Sequence, residues 1–181
     1  TGSDLLLKNV GVNPTRTGML EVLSAMGADI TVHNQRIDSN EPVADLRVKS
    51  APLHGVSFGA SIIPRLIDEI PVLAAAALFA KGDTVITGAA ELRVKETDRL
   101  RAIAMEYNKL APGSVEERRD GLIIHGQKSL QAAYAFSHGD HRIAMALAVA
   151  GAAGEGVEIE EPECVEISYP GFYQILAALR K

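Results

Sequence analysis

The sequence predicts an α/β architecture built from repeated helix–strand–helix–strand–strand units, with Ala-rich helices buried inside and sheets and amphipathic helices outside. Three observations predict it. Strand-like runs at Asp4–Val10, Asp83–Thr87 and Gly156–Glu160 recur about 75 residues apart, the scale of a supersecondary repeat. Each run is followed by an amphipathic segment. The second and third are also preceded by segments, Ile70–Ala80 and Ile143–Ala153, that are apolar on every side, and a helix that is hydrophobic all round is buried all round.

The elements follow in order. After the first run, Met19, Leu20, Val22, Leu23 and Met26 fall at helical spacing within Thr15–Met26. Asn13 or Thr15 is available to start that helix and Gly27 to cap it. Ile30-Thr31-Val32 and Asp45–Val48 read as two strands. After the second run, Lys95–Leu110 places Leu100, Ile103, Ala104 and Tyr107 on one helical face. Ser114–Arg119 and Leu122–His125 then flank Asp120-Gly121, a strong two-residue hairpin signal. The third run leads to an amphipathic helix at Gly171–Leu179. The first copy lacks its buried helix and the third lacks its closing strands, so residues 1–181 are expected to form a single, incomplete domain whose missing parts lie outside the chain. Alternating β and α elements otherwise suggest a doubly wound fold; the hairpin and the buried helices argue against it.

Composition bounds the function. With 18 Lys+Arg against 23 Asp+Glu the net charge is −5, there is no Trp, and Phe and Tyr number four each. A general nucleic-acid binder has the opposite charge balance and more stacking platforms. The single cysteine, Cys164, excludes an internal disulfide framework and a thiolate zinc cluster. The longest apolar stretch, Ile70–Ala80, is far short of the roughly 20 residues a membrane-spanning helix needs. The expectation is a soluble, cytoplasmic protein that binds neither nucleic acid nor membrane.

Three polar clusters interrupt the pattern. Asp68-Glu69 precedes the first buried segment, where acids suit the positive end of a helix dipole; the alternative is a carboxylate general base at the mouth of a cleft. Arg93-Val94-Lys95-Glu96-Thr97-Asp98-Arg99 packs five charges into seven residues at a strand-to-helix junction. This is a salt-bridged helix start, or an anion site in which Arg and helix N–H groups bind the ligand while Glu96 shuttles a proton. If it opens the helix, Lys95 and Arg99 share a face at i,i+4 and Glu96 stands at i,i+3 to Arg99. In His138-Gly139-Asp140-His141-Arg142, Asp140 reads as an N-cap that places His141 and Arg142 in the first turn. Cations there oppose the macrodipole, which a bound anion would offset. A metal reading uses His138, Asp140 and His141 but lacks a fourth ligand. Arg16 could touch an anion but reads first as a surface residue, and Cys164 reads as a small core residue.

Leu92–Leu100 and Asp140–Met145 resemble the two signature segments of the 5-enolpyruvylshikimate-3-phosphate synthase family, and Ile67–Ala80, Asn13–Gly18 and Ser168-Tyr169-Pro170 resemble it too. The resemblance implies the C-terminal portion of a two-domain enolpyruvyl-transferase fold made of pseudo-repeats. It implies transfer of enolpyruvyl from phosphoenolpyruvate to the 5-hydroxyl of shikimate 3-phosphate, with release of phosphate and no metal or other cofactor. Carried over by residue, Asp68 takes the 5-hydroxyl proton and Glu96 is the acid/base at the methylene carbon. By the same resemblance Lys95, Arg99, His141 and Arg142 bind substrate: Lys95 touches both substrate regions, Arg99 and Arg142 clamp phosphoenolpyruvate, and His141 lies beside them. The missing N-terminal domain is the expected partner, the isolated chain is expected to be inactive, and the whole enzyme monomeric. The family's usual Lys in the last motif is Ile167 here, and an Asn that contacts shikimate 3-phosphate in some members is Glu91. The sister transferase acting on UDP-N-acetylglucosamine and a non-catalytic anion-binding module are the alternatives.

Overall fold

The computed structural model describes residues 2–179. The first repeat comprises β1 (Asp4–Gly11), α1 (Gly18–Ala25), β2 (Asp29–Asp38) and β3 (Glu41–Lys49), with an antiparallel sheet in the order β1-β3-β2. The second comprises β4 (Ser57–Phe58), α2 (Ile70–Leu78), β5 (Asp83–Ile86), α3 (Arg99–Leu110), β6 (Val115–Arg118) and β7 (Gly121–His125), in sheet order β4-β5-β7-β6. The third comprises β8 (Ala133–Phe136), α4 (His141–Ala153), β9 (Val157–Glu160) and α5 (Phe172–Leu179), with β8 and β9 paired. Both larger sheets put the last strand of the repeat between the other two, β1-β3-β2 and β5-β7-β6. The repetition expected from sequence is therefore present in the pairing as well as in the element order.

The unit differs from expectation at its start. A strand precedes each described buried helix and pairs in parallel with the strand that follows it, β4 with β5 and β8 with β9. Each buried helix is thus the crossover of a βαβ unit. These strands escape a periodicity reading because β4 has two residues and β8 sets Ala, a weak hydrophobe, on its inward face. The β2–β3 hairpin is also longer than expected. It turns at Ser39-Asn40, with φ of 49° and 66°, the left-handed pair that a two-residue turn requires, and its distal halves are too polar to read as strand. Beyond them, Asn9 and Asn34 are left-handed at bulges in β1 and β2. Both bind the Asp45 carboxylate, which accepts from the Asn9 amide at 3.0 Å and the Asn34 side chain at 2.8 Å.

The core sits between α2 and α4, which pack directly on each other. Leu73, Ala74, Ala77 and Leu78 of α2 and Ala144, Leu147 and Ala150 of α4 are wholly buried. Alanine at these positions lets the helices approach closely while other elements cover their remaining faces. On α3 the expected face is the buried one, Leu100, Ile103, Ala104 and Tyr107, and the Tyr107 hydroxyl donates to the Pro71 carbonyl at 2.7 Å. α5 forms where expected, but no residue of it is buried; it borders a cavity of about 470 Å³ against α4 and β9.

The β6–β7 turn corrects the expected register. Arg118 pairs with Gly121, so Arg119 and Asp120 are the turn residues and Gly121 opens β7. The glycine is needed for close approach: a Cβ there would overlap the Ile86 carbonyl. Gly121→Ala should lower stability by about 3 kcal/mol, read as a lower urea midpoint at unchanged slope. On the same sheet, His125 Nδ1 lies 2.8 Å from Asp83 Oδ1 and its Nε2 lies 3.1 Å from Glu116 Oε1. The bond to Asp83, and then that to Glu116, hold the imidazole above its ordinary value. A raised folded-state value adds stability that is full below about pH 6.5 and fades as pH climbs through the raised value. The melting-temperature advantage of the wild type over His125→Gln should therefore shrink on going from pH 6 to about pH 8; an advantage that grows with pH would contradict this.

Candidate active site

Four segments preceding α1, α2, α3 and α4 meet at one end of the molecule. Each is fixed locally. Asp98 caps α3, accepting from the Arg101 amide at 3.1 Å, and Asp140 caps α4 as expected, accepting from the Arg142 amide at 2.8 Å. Asp68 and Glu69 lie in the 3₁₀ turn Ile67–Glu69 that leads into α2. The loop before α1 is an Asx turn, in which Asn13 accepts from the Thr15 amide at 3.0 Å. Arg65 ties it down by donating to the Pro14 carbonyl at 2.7 Å. Neither Asn13 nor Thr15 caps α1, which starts only at Gly18.

At the centre is Arg99, whose side chain is 1% exposed. Its Nε donates to Asp140 Oδ2 at 2.7 Å, its Nη1 to Asp68 Oδ1 at 3.2 Å and its Nη2 to Glu96 Oε2 at 2.7 Å. Burial alone would push this guanidinium down; the bonds to Asp140, with the charges of Glu96 and Asp68, more than offset that and leave it raised. Asp68 also faces Arg142 Nη2 at 3.6 Å and Arg16 Nη1 at 3.7 Å, while Arg16 Nη2 donates to Glu69 Oε1 at 2.9 Å. The result is an alternating cluster of three guanidiniums and four carboxylates over the N-terminal ends of three helices, where dipoles favour an anion.

Of the six residues expected at a site, Asp68, Glu96, Arg99 and Arg142 are brought into this cluster. His141 is the first residue of α4, half-buried beside it. Lys95 is not on a helical face with Arg99. α3 begins at Arg99 and Lys95 is extended before it, with Nζ 3.0 Å from Glu91 Oε1. Arg93 and Asp98 are scaffolding: Arg93 binds Asp98 at 2.8 Å and Glu117 at 2.7 Å, holding the β6–β7 hairpin to the start of α3. Ile167 is 91% exposed. Sequence reasoning weighed Arg16 as an anion contact but favoured a surface role, because it stands apart from the charged runs; the structure brings it to Asp68 and Glu69. It missed the second task of Asp140, which its place between His and Arg could have suggested. The residues of the metal reading are otherwise engaged, His138 with Glu106 at 2.9 Å and Asp140 with Arg99.

The cluster lies on an open rim. The two largest described cavities, of about 830 and 560 Å³, contain none of its members, and the one that touches Asp68 and Arg142 holds only about 160 Å³. Such a surface can bind and orient anions and hold two carboxylates near them, but cannot by itself enclose a substrate.

The chain aligns with an EPSP synthase from Acinetobacter baumannii at a TM-score of 0.91 and 42% identity, over 99% of this chain and 42% of that one. It also aligns with the enolpyruvyl transferase NikO from Streptomyces tendae at 0.71 and 19% identity, over 98% of this chain and 38% of that one. The second likeness bears on fold alone, and the fold is that of the enolpyruvyl transferases. Among curated relatives, the 3-phosphoshikimate 1-carboxyvinyltransferase of Gloeobacter violaceus is 58% identical over 180 residues, 99% of this chain and 41% of the relative. That of Synechocystis sp. is 58% identical over 177 residues, 97% of this chain and 39% of the relative. The family model for EPSP synthase (3-phosphoshikimate 1-carboxyvinyltransferase) matches residues 1–176, and the chain belongs to that family. It spans about two-fifths of the length of these relatives.

Proposed function

We propose that this chain is one domain of a two-domain enzyme that transfers the enolpyruvyl group of phosphoenolpyruvate to the 5-hydroxyl of shikimate 3-phosphate and releases phosphate. The observation that carries the reading is the gathering of Asp68 and Glu96 on one buried guanidinium, Arg99, with Arg142 beside them. In the addition step Asp68 accepts the 5-hydroxyl proton as the oxygen bonds to C2 of phosphoenolpyruvate, and Glu96 delivers a proton to the methylene carbon. The product is a tetrahedral ketal. In the elimination step the C2–phosphate oxygen bond breaks, Glu96 takes a proton back from the methyl group, and phosphate leaves. Arg142, Arg99, Lys95 and His141 neutralise the substrate anions, with Arg16 as a further cation. Asp68, which faces Arg142 in the free chain, occupies the charge environment that an arriving phosphate or carboxylate would share.

The open rim supports a second surface that completes the site, so the chain alone is expected to show no turnover. The test is phosphate release by the two-domain enzyme given phosphoenolpyruvate with shikimate 3-phosphate, with UDP-N-acetylglucosamine as the alternative acceptor and the 181-residue chain as control. Release that depends on shikimate 3-phosphate and needs both domains is expected. Release with the sugar nucleotide instead would overturn the acceptor assignment. No release with either would leave an anion-binding module.

A further inference from the structure

Glu106 is a buried carboxylate that the reaction above does not use. It lies on α3 seven residues beyond Arg99, hence on the same helical face, and is 1% exposed. A carboxylate so deep needs partners, and it has three. Oε2 accepts from the Phe136 amide at 2.8 Å and from Lys109 Nζ at 2.6 Å, and Oε1 accepts from His138 Nε2 at 2.9 Å. Phe136 ends β8, and His138 stands two residues before the α4 cap. Between that contact and the cap the chain makes an elbow. His138 and Gly139 are both left-handed, with φ of 56° and 66°, a conformation costly for a residue with a Cβ. The elbow is closed by the Gly139 amide donating to Ser137 Oγ at 3.1 Å and the Asp140 amide donating to the Ser137 carbonyl at 3.0 Å.

α3 therefore grips residues 136–140 at two points, Glu106 at one end and Arg99 on Asp140 at the other. The strained elbow is held between them. Its exit direction sets where α4 begins, and so where His141 and Arg142 stand.

We infer that Glu106, acting through His138 and the Phe136 amide, is a positioning residue for the anion-binding pair His141–Arg142. The inference rests on the function proposed above. Releasing the Glu106 grip leaves Arg99 intact but lets the elbow relax. Because a misplacement of about 1 Å at a binding group costs on the order of a hundredfold, a partial relaxation should raise KM for phosphoenolpyruvate roughly tenfold, with KM for shikimate 3-phosphate within about twofold.

The experiment uses the two-domain enzyme with Glu106→Met, which keeps the length and removes every acceptor, His138→Asn and His138→Gln. Asn tolerates the left-handed backbone but is too short to reach Glu106; Gln presents an Nε2 donor at the reach of the imidazole. His138→Asn should reproduce the rise in KM for phosphoenolpyruvate, and His138→Gln should restore it to near wild type. Hydrogen exchange at the Phe136 and Arg142 amides should quicken in Glu106→Met whether or not turnover is measured. A role in stability alone would lower the melting temperature and leave the two KM values unchanged; that result, or an equal rise in both, overturns the inference. Wild-type enzyme that fails to release phosphate overturns the proposed function instead. Unchanged amide exchange overturns the positioning role independently of activity.

Discussion

Asp68→Asn in the two-domain enzyme is expected to lower kcat by roughly 10²- to 10⁴-fold, the range associated with loss of a general base. The substitution keeps the shape and one oxygen acceptor for Arg99, so the cluster stays assembled while the proposed proton acceptor is gone. KM for phosphoenolpyruvate should not rise with it: Asp68 faces Arg142 at 3.6 Å, and a neutral amide competes less for that guanidinium. A fall in kcat with a flat or lower KM separates a chemical role from a binding one. Glu96→Gln should also depress kcat, and exchange of solvent deuterium into the methylene group of phosphoenolpyruvate should vanish in Glu96→Gln. A kcat within about threefold of wild type for Asp68→Asn would remove it from the reaction.

Arg99→Met should be the most destabilising single change at the site. Asp140 is 0% exposed and receives two bonds from Arg99, at 2.7 and 3.3 Å. Taking away one partner of a buried pair strands a charge, at about 3–5 kcal/mol. For a protein of this size that is a fall of roughly 10 °C in melting temperature. Lysine is no substitute, because one ammonium cannot reproduce the planar fork that reaches three carboxylates. Adding Asp140→Ser to Arg99→Met should restore part of the loss, since Ser still caps α4 and no carboxylate is left unpaired in the interior. If the double variant is as unstable as the sum of the two single ones, the destabilisation has another source.

How far the sequence carries depends on whether a signal is local. The apolar helices α2 and α4, the α3 face of Leu100, Ile103, Ala104 and Tyr107, and the Asp140 cap were all legible because burial and capping leave short periodic patterns. Strands β4 and β8 were not: two residues, or alternation carried by Ala, fall below any periodicity threshold, and pairing with β5 and β9 forms them. The Lys95–Arg99 face failed because Asp98 wins the cap and starts the helix four residues late. At the site, the charges of Asp68, Glu96, Arg99 and Arg142 marked themselves by clustering along the chain. Arg16 lies 52 residues before Asp68, and only the tertiary structure brings the two together.

The ties made by Arg99 and Arg142 also bear on how the chain folds. Arg99 joins residues 31 and 41 positions away, and Arg142 reaches back 74 to the Asp68 carbonyl. Each unit can form from near neighbours, but the ties of Arg99 to Asp140 and of Arg142 to Asp68 close only when the second and third units dock in the right relation. Long-range closures are the slow ones. A kinetic intermediate with nearly full helical signal and a hydrated Arg99 is therefore the expected species on the refolding path, and competence to bind an anion would arrive with the last docking event rather than with the helices.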